Sequence, residues 1–235
     1  MPRFVDCPSP NHDTRPAGQM VDILLLHYTD MESAEAALER LCDPSAKVSA
    51  HYCIDEDGTV YRLVGEDRRA WHAGAASWAG ANDINARSIG IELVNPGHSC
   101  GYRPFPQAQM AALIGLAKEV LARHPVPPNR VLGHSDVAPD RKQDPGELFD
   151  WRTLAEQGIG LWPEAAAPPD APPDMAEIQA RLARFGYGVP LHGRLDADTR
   201  AVLAAFQRHF RPAAVTGEAD GETVARLQAL LTAVP

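Results

Sequence analysis

The chain reads as an α/β protein: a mixed β-sheet flanked by helices, followed by a small domain of three helices. Three observations carry that expectation. Short apolar runs alternate with amphipathic helical patterns over residues 1–162, which suits a central sheet with helices packed on it. A proline-rich stretch, residues 163–174, then breaks both patterns. Beyond it, over residues 175–235, only helical periodicity continues.

The elements follow in order. Residues 21–28 are short, apolar and bounded by polar residues, the pattern of a buried strand. Residues 33–41 are rich in Ala, Leu and Glu and predict a helix. Residues 49–54 and 59–64 flank Asp55-Glu56-Asp57-Gly58, and the Asp-Gly pair accepts the positive φ of a hairpin turn. Residues 88–94 form another strand. The longest helix is expected over 106–123, with Met110, Leu113, Ala117 and Val120 on one face.

The linker holds five prolines in twelve residues. Proline fixes φ and removes a backbone donor, so this stretch is expected to run extended. After it comes an internal repeat. Gly193-Arg194-Leu195-Asp196-Ala197-Asp198-Thr199 and Gly217-Glu218-Ala219-Asp220-Gly221-Glu222-Thr223 share the frame Gly-x-x-Asp-x-acid-Thr. Asp196 and Asp220 suit the caps of helix starts, and the acids behind them favour the helix dipole. With a first helix over 175–185, the expected core is Ile178, Leu182, Phe185, Leu203, Phe206, Phe210, Leu227 and Leu230. That domain carries no cluster of catalytic residue types, which points to binding.

Charge and composition exclude several classes. The formal net charge is −9, and residues 175–235 carry seven arginines against six acids, so the first 174 residues hold −10. Such acidity disfavours nucleic acid and anionic membrane surfaces as partners. No apolar run reaches the roughly 18 residues of a transmembrane helix. The amino-terminal residues lack an apolar stretch of signal-peptide length, so a cytoplasmic location is expected, with the periplasm or cell envelope as the alternative. The four cysteines (Cys7, Cys42, Cys53, Cys100) show neither metal-binding nor disulfide spacing. A monomer is expected.

The chemistry gathers at three positions. His27 closes the apolar run Ile23-Leu24-Leu25-Leu26, His134 closes Val131-Leu132-Gly133, and Asp144 follows ten residues later. A catalytic zinc takes three protein ligands of N or O type and keeps one position open. Ligands at strand ends are held rigid by the sheet. A lone histidine at a strand end is commonly just a hydrogen-bonded core residue; the company of the other two makes a metal site the sharper reading. The loop between His134 and Asp144 is long enough to fold back on itself, stiffened by Pro139 and Pro145.

Three segments carry a family resemblance: Leu26-His27-Tyr28-Thr29, Ser88-Ile89-Gly90-Ile91-Glu92-Leu93, and the run from Gly133 through His134, Arg141, Lys142 and Asp144 to Gly146. They resemble the zinc N-acetylmuramoyl-L-alanine amidases, which share a fold with the peptidoglycan recognition proteins. The resemblance covers about residues 5–160. The pieces Ile178-Gln179-Ala180-Arg181-Leu182, Phe185-Gly186-Tyr187, Asp198-Thr199 and Phe206-Gln207 resemble the three-helix peptidoglycan-binding module of bacteria.

The resemblance implies one zinc ion per chain, with His27, His134 and Asp144 as ligands. It implies that Glu92 is the general base and Lys142 the group that stabilises the oxyanion. Arg141 matches a position that meets carboxylates of the stem peptide, and a guanidinium fork suits that task. Trp71, His72 and Tyr28 would line the substrate groove. The implied reaction cuts the amide between the lactyl group of muramic acid and the L-alanine of the stem peptide, in peptidoglycan turnover or muropeptide recycling.

Three other classes of protein bear on the same residues. A zinc peptidase is imitated by Ser49-Ala50-His51 and Trp71-His72, but Arg68 stands where that pattern needs an acid three residues before Trp71. A recognition protein that binds peptidoglycan without cutting it usually lacks a zinc ligand, whereas all three are present here. A phage-type lysin or toxin is the third alternative, and neither the acidic balance nor the lack of an export signal decides it. Ser135 lacks the context of a nucleophile elbow, so serine catalysis is disfavoured.

Overall fold

The computed structural model describes residues 3–164, 167–169, 171 and 173–233. The strands are β1 (Phe4–Asp6), β2 (His12–Thr14), β3 (Ile23–Tyr28), β4 (Tyr52–Ile54), β5 (Val60–Arg62), β6 (Arg68–Ala70), β7 (Ser88–Leu93) and β8 (Val131–Gly133). The helices are α1 (Ala34–Cys42), α2 (Ile84–Arg87), α3 (Gly97–Cys100), α4 (Gln107–Arg123), α5 (His134–Val137), α6 (Trp151–Glu156), α7 (Met175–Phe185), α8 (Ala197–Phe210) and α9 (Gly221–Ala233). The chain divides into two units, Met1–Gly74 with Asp83–Leu132, and Ala75–Asn82 with Gly133–Pro235.

The first unit is organised by its central strands. The six-stranded sheet runs β1-β5-β4-β7-β3-β8, and β7 pairs parallel to both β3 and β4. Strands in the middle of a parallel set lose both faces to the core and therefore read as continuous apolar runs. Ile23, Leu24, Leu25 and Leu26 accordingly are all buried. The antiparallel β4 and β5 form the expected hairpin around Asp55–Gly58, although their ladders are shorter than the apolar pattern suggested. Met110, Leu113, Ala117 and Val120 of α4 are buried, and Ser33 caps α1 by accepting from Ala36 N. The Cys7 and Cys42 thiols lie 3.7 Å apart, and all four cysteines are free.

Sequence patterning did not reveal β1, β2 or β6. The last two form a separate antiparallel pair of polar sequence, His-Asp-Thr against Arg-Arg-Ala. Ionic side chains link them to each other and to the next loop: Arg69 meets Asp13 at 3.2 Å and Asp83 at 2.9 Å. Nothing apolar alternates there, so periodicity has no purchase.

The second unit places every expected core residue of the carboxy-terminal helices in the interior. The repeat has a structural cause. Asp196 and Asp220 cap α8 and α9 by accepting from Thr199 N and Thr223 N, each at 2.9 Å. Buried Gln179 and Gln207 then serve equivalent turns. Each accepts from the repeat glycine (Gly193 N at 2.7 Å, Gly217 N at 2.8 Å) and donates to the repeat threonine (Thr199 at 2.9 Å, Thr223 at 3.0 Å). Both glycines have positive φ, 73° and 69°, which explains their residue type. Linker residues 165, 166, 170 and 172, within the stretch expected to run extended, lie outside the described residues.

Candidate metal centre

His27 lies one residue before the end of β3, and its Cα partner across the parallel ladder is Glu92 of β7. Side chains alternate along a strand, so the buried Ile89, Ile91 and Leu93 fix Gly90 and Glu92 together on the other face. His27 is 1 % exposed and Glu92 is half-buried.

His72 backs His27. Its Nδ1 lies 3.0 Å from His27 Nε2, and its Nε2 lies 3.3 Å from Ser88 Oγ. Ser88 gives its one hydroxyl proton to Ile84 O at 2.7 Å. With that proton spent, Ser88 Oγ can accept from His72 Nε2, and a His72 ring protonated there accepts at Nδ1 from His27 Nε2. Space for the His72 ring comes from Gly90, where a Cβ would sit 2.5 Å from His72 Nδ1. Asn85 fixes the turn by accepting from His72 N at 3.0 Å and Ala73 N at 2.8 Å.

Beneath this lies His51, fully buried. It accepts from Gly90 N at 2.9 Å and meets Arg15 at 3.0 Å. Burial, helped by the Arg15 charge, pulls its pKa down to about 3. Arg15 also donates to the carbonyls of Asn85, Ala86 and Ser88. The segment carrying Asn85, Ser88 and Gly90 is thus pinned from two sides.

His134 opens the four-residue α5, and the loop after it folds back as its length suggested. Ser135 N donates to Asp144 O at 2.9 Å, and His134 Nδ1 lies 3.0 Å from Asp144 Oδ2. Gly133 permits that closure: a Cβ there would meet Pro145 at 2.7 Å and Trp151 at 3.3 Å. The Asp144–Pro145 peptide is cis.

His27, His134 and Asp144 form a group able to hold a metal ion, with one donor atom from each lying within 4.8 Å of the others and all three residues buried. Two imidazoles and one carboxylate are the N and O donors of a catalytic zinc site, so the donor set fits.

The remaining expected site residues are placed as follows. Tyr28 is half-buried, with its hydroxyl 2.9 Å from His98 Nδ1 and its ring against Tyr102. Trp71 is half-buried and tied to Ser49 through its backbone. The His72 ring is buried against His27 and Ser88. Arg141 is exposed, donates twice to Ala75 O, and reaches to 3.5 Å from His134 Nε2. Lys142 is half-buried, its backbone N donating to Ala138 O at 3.0 Å.

Asn85, Ser88, Asp136, Tyr187 and His209 escaped sequence reasoning. Asp136, two residues beyond His134, accepts from Tyr187 and His209, which lie 51 and 73 residues away. No local pattern announces such partners. Two family descriptions match the chain: N-acetylmuramoyl-L-alanine amidase over residues 17–147, and a peptidoglycan binding domain over residues 171–227. The N-acetylmuramoyl-L-alanine amidase AmiD of Escherichia coli (strain K12) is 42% identical over 243 residues, covering 93% of this chain and 87% of AmiD. The 1,6-anhydro-N-acetylmuramyl-L-alanine amidase AmpD of Enterobacter cloacae is 35% identical over 161 residues, covering 61% of this chain and 84% of AmpD. Among solved structures, E. coli AmiD in complex with anhydro-N-acetylmuramic acid-L-Ala-D-gamma-Glu-L-Lys superposes with a TM-score of 0.83 at 40% identity, covering 93% of this chain and 92% of that one. AmpDh3 from Pseudomonas aeruginosa, in complex with anhydromuramic pentapeptide, gives 0.85 at 36% identity, covering 94% and 95%.

Proposed function

The chain belongs to the N-acetylmuramoyl-L-alanine amidase family, and we propose that it works with a single zinc ion held by His27, His134 and Asp144. It is an amidase that hydrolyses the bond between the lactyl group of muramic acid and L-alanine, in peptidoglycan recycling. The observation that carries the zinc assignment is the buried two-histidine, one-carboxylate donor set. Zinc at such a site supplies Lewis acidity that makes water a nucleophile near neutral pH.

The chain's own residues supply the rest. Glu92, beside His27 on the ladder, takes the proton of the attacking water and passes it to the departing L-alanine amine. The Lys142 ammonium meets the negative charge that develops on the amide oxygen. Arg141 offers a planar fork to the stem-peptide carboxylates. Tyr28 and Trp71 line the sugar and peptide side, whereas His72, expected there too, is buried behind His27 and acts through it. The carboxy-terminal helices hold the enzyme near polymeric wall, raising its local concentration there. No helix among the described residues is long and apolar enough to cross a membrane.

Soluble anhydro-muropeptides are the proposed substrates, because they are the ligands bound to AmiD and AmpDh3. Mass spectrometry of the products tests this reading. Cleavage at the lactyl–alanine amide releases an intact stem peptide with a free L-alanine amine. Cleavage between two amino acids of the stem would make the protein a peptidase instead.

A further inference from the structure

Asp136 is fully buried and is held by three donors. Gly133 N donates to Oδ2 at 2.7 Å, His209 Nδ1 to Oδ2 at 2.7 Å, and the Tyr187 hydroxyl to Oδ1 at 2.6 Å. The two side-chain donors come from the carboxy-terminal helical region, His209 from α8 and Tyr187 from the turn after α7. Both rings are fixed in turn. His209 is stacked between Trp151 at 3.7 Å and Phe210 at 3.8 Å. Tyr187 packs edge-on against Trp78 at 4.9 Å, and Ala79 N donates to Gly186 O at 2.7 Å.

A wall-binding module alone has no need of this arrangement. Burying a carboxylate costs desolvation, and an apolar cluster of the same volume would stabilise the unit as well or better. What a carboxylate adds is fixed geometry. One of its oxygens holds the N–H of Gly133, the residue before His134. Two residues on from His134, the same side chain pins α5, while Ser135 N and the His134 ring hold Asp144. Groups that orient metal ligands from behind tune affinity and rate without touching the ion.

We infer that the carboxy-terminal helices brace the metal-binding loop, with Tyr187 and His209 fixing the Asp136 carboxylate and Asp136 fixing the turn that aims His134 and Asp144. Asp136, Tyr187 and His209 are positioning residues for the amidase reaction. The helical region thereby serves turnover of small soluble substrates as well as attachment to polymer. The inference rests on the reading of His134 and Asp144 as metal ligands.

The test uses the full chain and three variants: Tyr187→Phe, which removes one oxygen; His209→Ala; and His209→Asn, whose amide nitrogen takes the place of Nδ1. Zinc loss to a chelator, the visible spectrum of the cobalt-substituted protein, and kcat and KM on a soluble muropeptide are measured. Tyr187→Phe and His209→Ala should each weaken zinc retention by about 10–100-fold. They should also shift the cobalt bands and lower kcat more than they change KM, and His209→Asn should recover most of each loss. Should His209→Ala fail to fold, Tyr187→Phe decides. Variants that melt earlier yet keep wild-type zinc retention, cobalt spectrum and kcat would overturn the brace and leave the metal reading standing. Wild-type protein that takes up neither zinc nor cobalt would overturn the metal reading itself.

Discussion

Glu92 and His27 are Cα partners on adjacent parallel strands, β7 and β3. Neighbouring strands lie about 4.8 Å apart, so one rung of the ladder sets the distance from proposed base to proposed ligand. Neither residue depends on a flexible loop for its position. A base held this way needs little reorganisation when the substrate binds.

Replacing Glu92 with Ala should lower kcat by about 10²–10⁴-fold, the usual contribution of general acid–base catalysis. Zinc content should stay near one per chain. Metal analysis of the purified variant checks the second half: zinc lost together with activity would make Glu92 a ligand.

Lys142→Ala should reduce kcat more than it raises KM, because the charge it meets appears only in the transition state. Steady-state kinetics on a soluble muropeptide separates the two. A rise in KM with unchanged kcat would assign Lys142 to ground-state binding.

Gly90→Ala tests the support of His27. Its new methyl would fall 2.5 Å from His72 Nδ1 in a ring already enclosed by His27 and Ser88. Displacing His72 removes the acceptor that orients His27, so zinc affinity should fall by about 10–100-fold. Ser88→Ala should act in the same direction and more weakly. Competition with a fluorescent chelator reads both, and unchanged affinity in Gly90→Ala would deny His72 its orienting role.

The fold should weaken in acid in two stages. Burial favours the neutral His51 ring and holds its pKa at about 3 against an ordinary 6.5. Stability from the neutral ring is therefore complete above pH 6.5 and drains as pH falls toward 3. Burial opposes ionisation of Glu66, but hydrogen bonds from Arg123, Tyr52 and His124 outweigh it and hold the carboxyl at about 2 against 4.5. That contribution is complete above pH 4.5 and is lost as pH falls toward 2. Urea unfolding from pH 7 to 2.5 should show both declines, and Glu66→Gln should be less stable at pH 7 and flatter below 4.5. An unchanged profile in Glu66→Gln would remove Glu66 from the account.

The parts of this architecture that were readable in the sequence are those with local causes. The run ending at His27 is apolar because a central parallel strand is buried on both faces. Asp196 and Asp220 declare helix starts because a cap acts within three residues. The Gln179 and Gln207 clamps were hidden inside regular helical patterns, where a buried amide looks like a surface one. The Asp136 hub depends on partners 51 and 73 residues away, a relationship that only folding creates. His72 reads in the sequence as a groove residue for its flat ring and polar tip, but the structure buries that ring. Its contact with His27 required the absence of a side chain at Gly90, which is visible only in three dimensions.

Stoichiometric reconstitution of metal-free protein with zinc bears most directly on the central claim. Muropeptide hydrolysis should be absent from the stripped protein, rise linearly with added zinc, and level off at one equivalent per chain. Under the same titration His134→Ala should stay inactive. Full hydrolysis by metal-free protein, or an activity indifferent to added zinc, would contradict the assignment of His27, His134 and Asp144 as a catalytic zinc site.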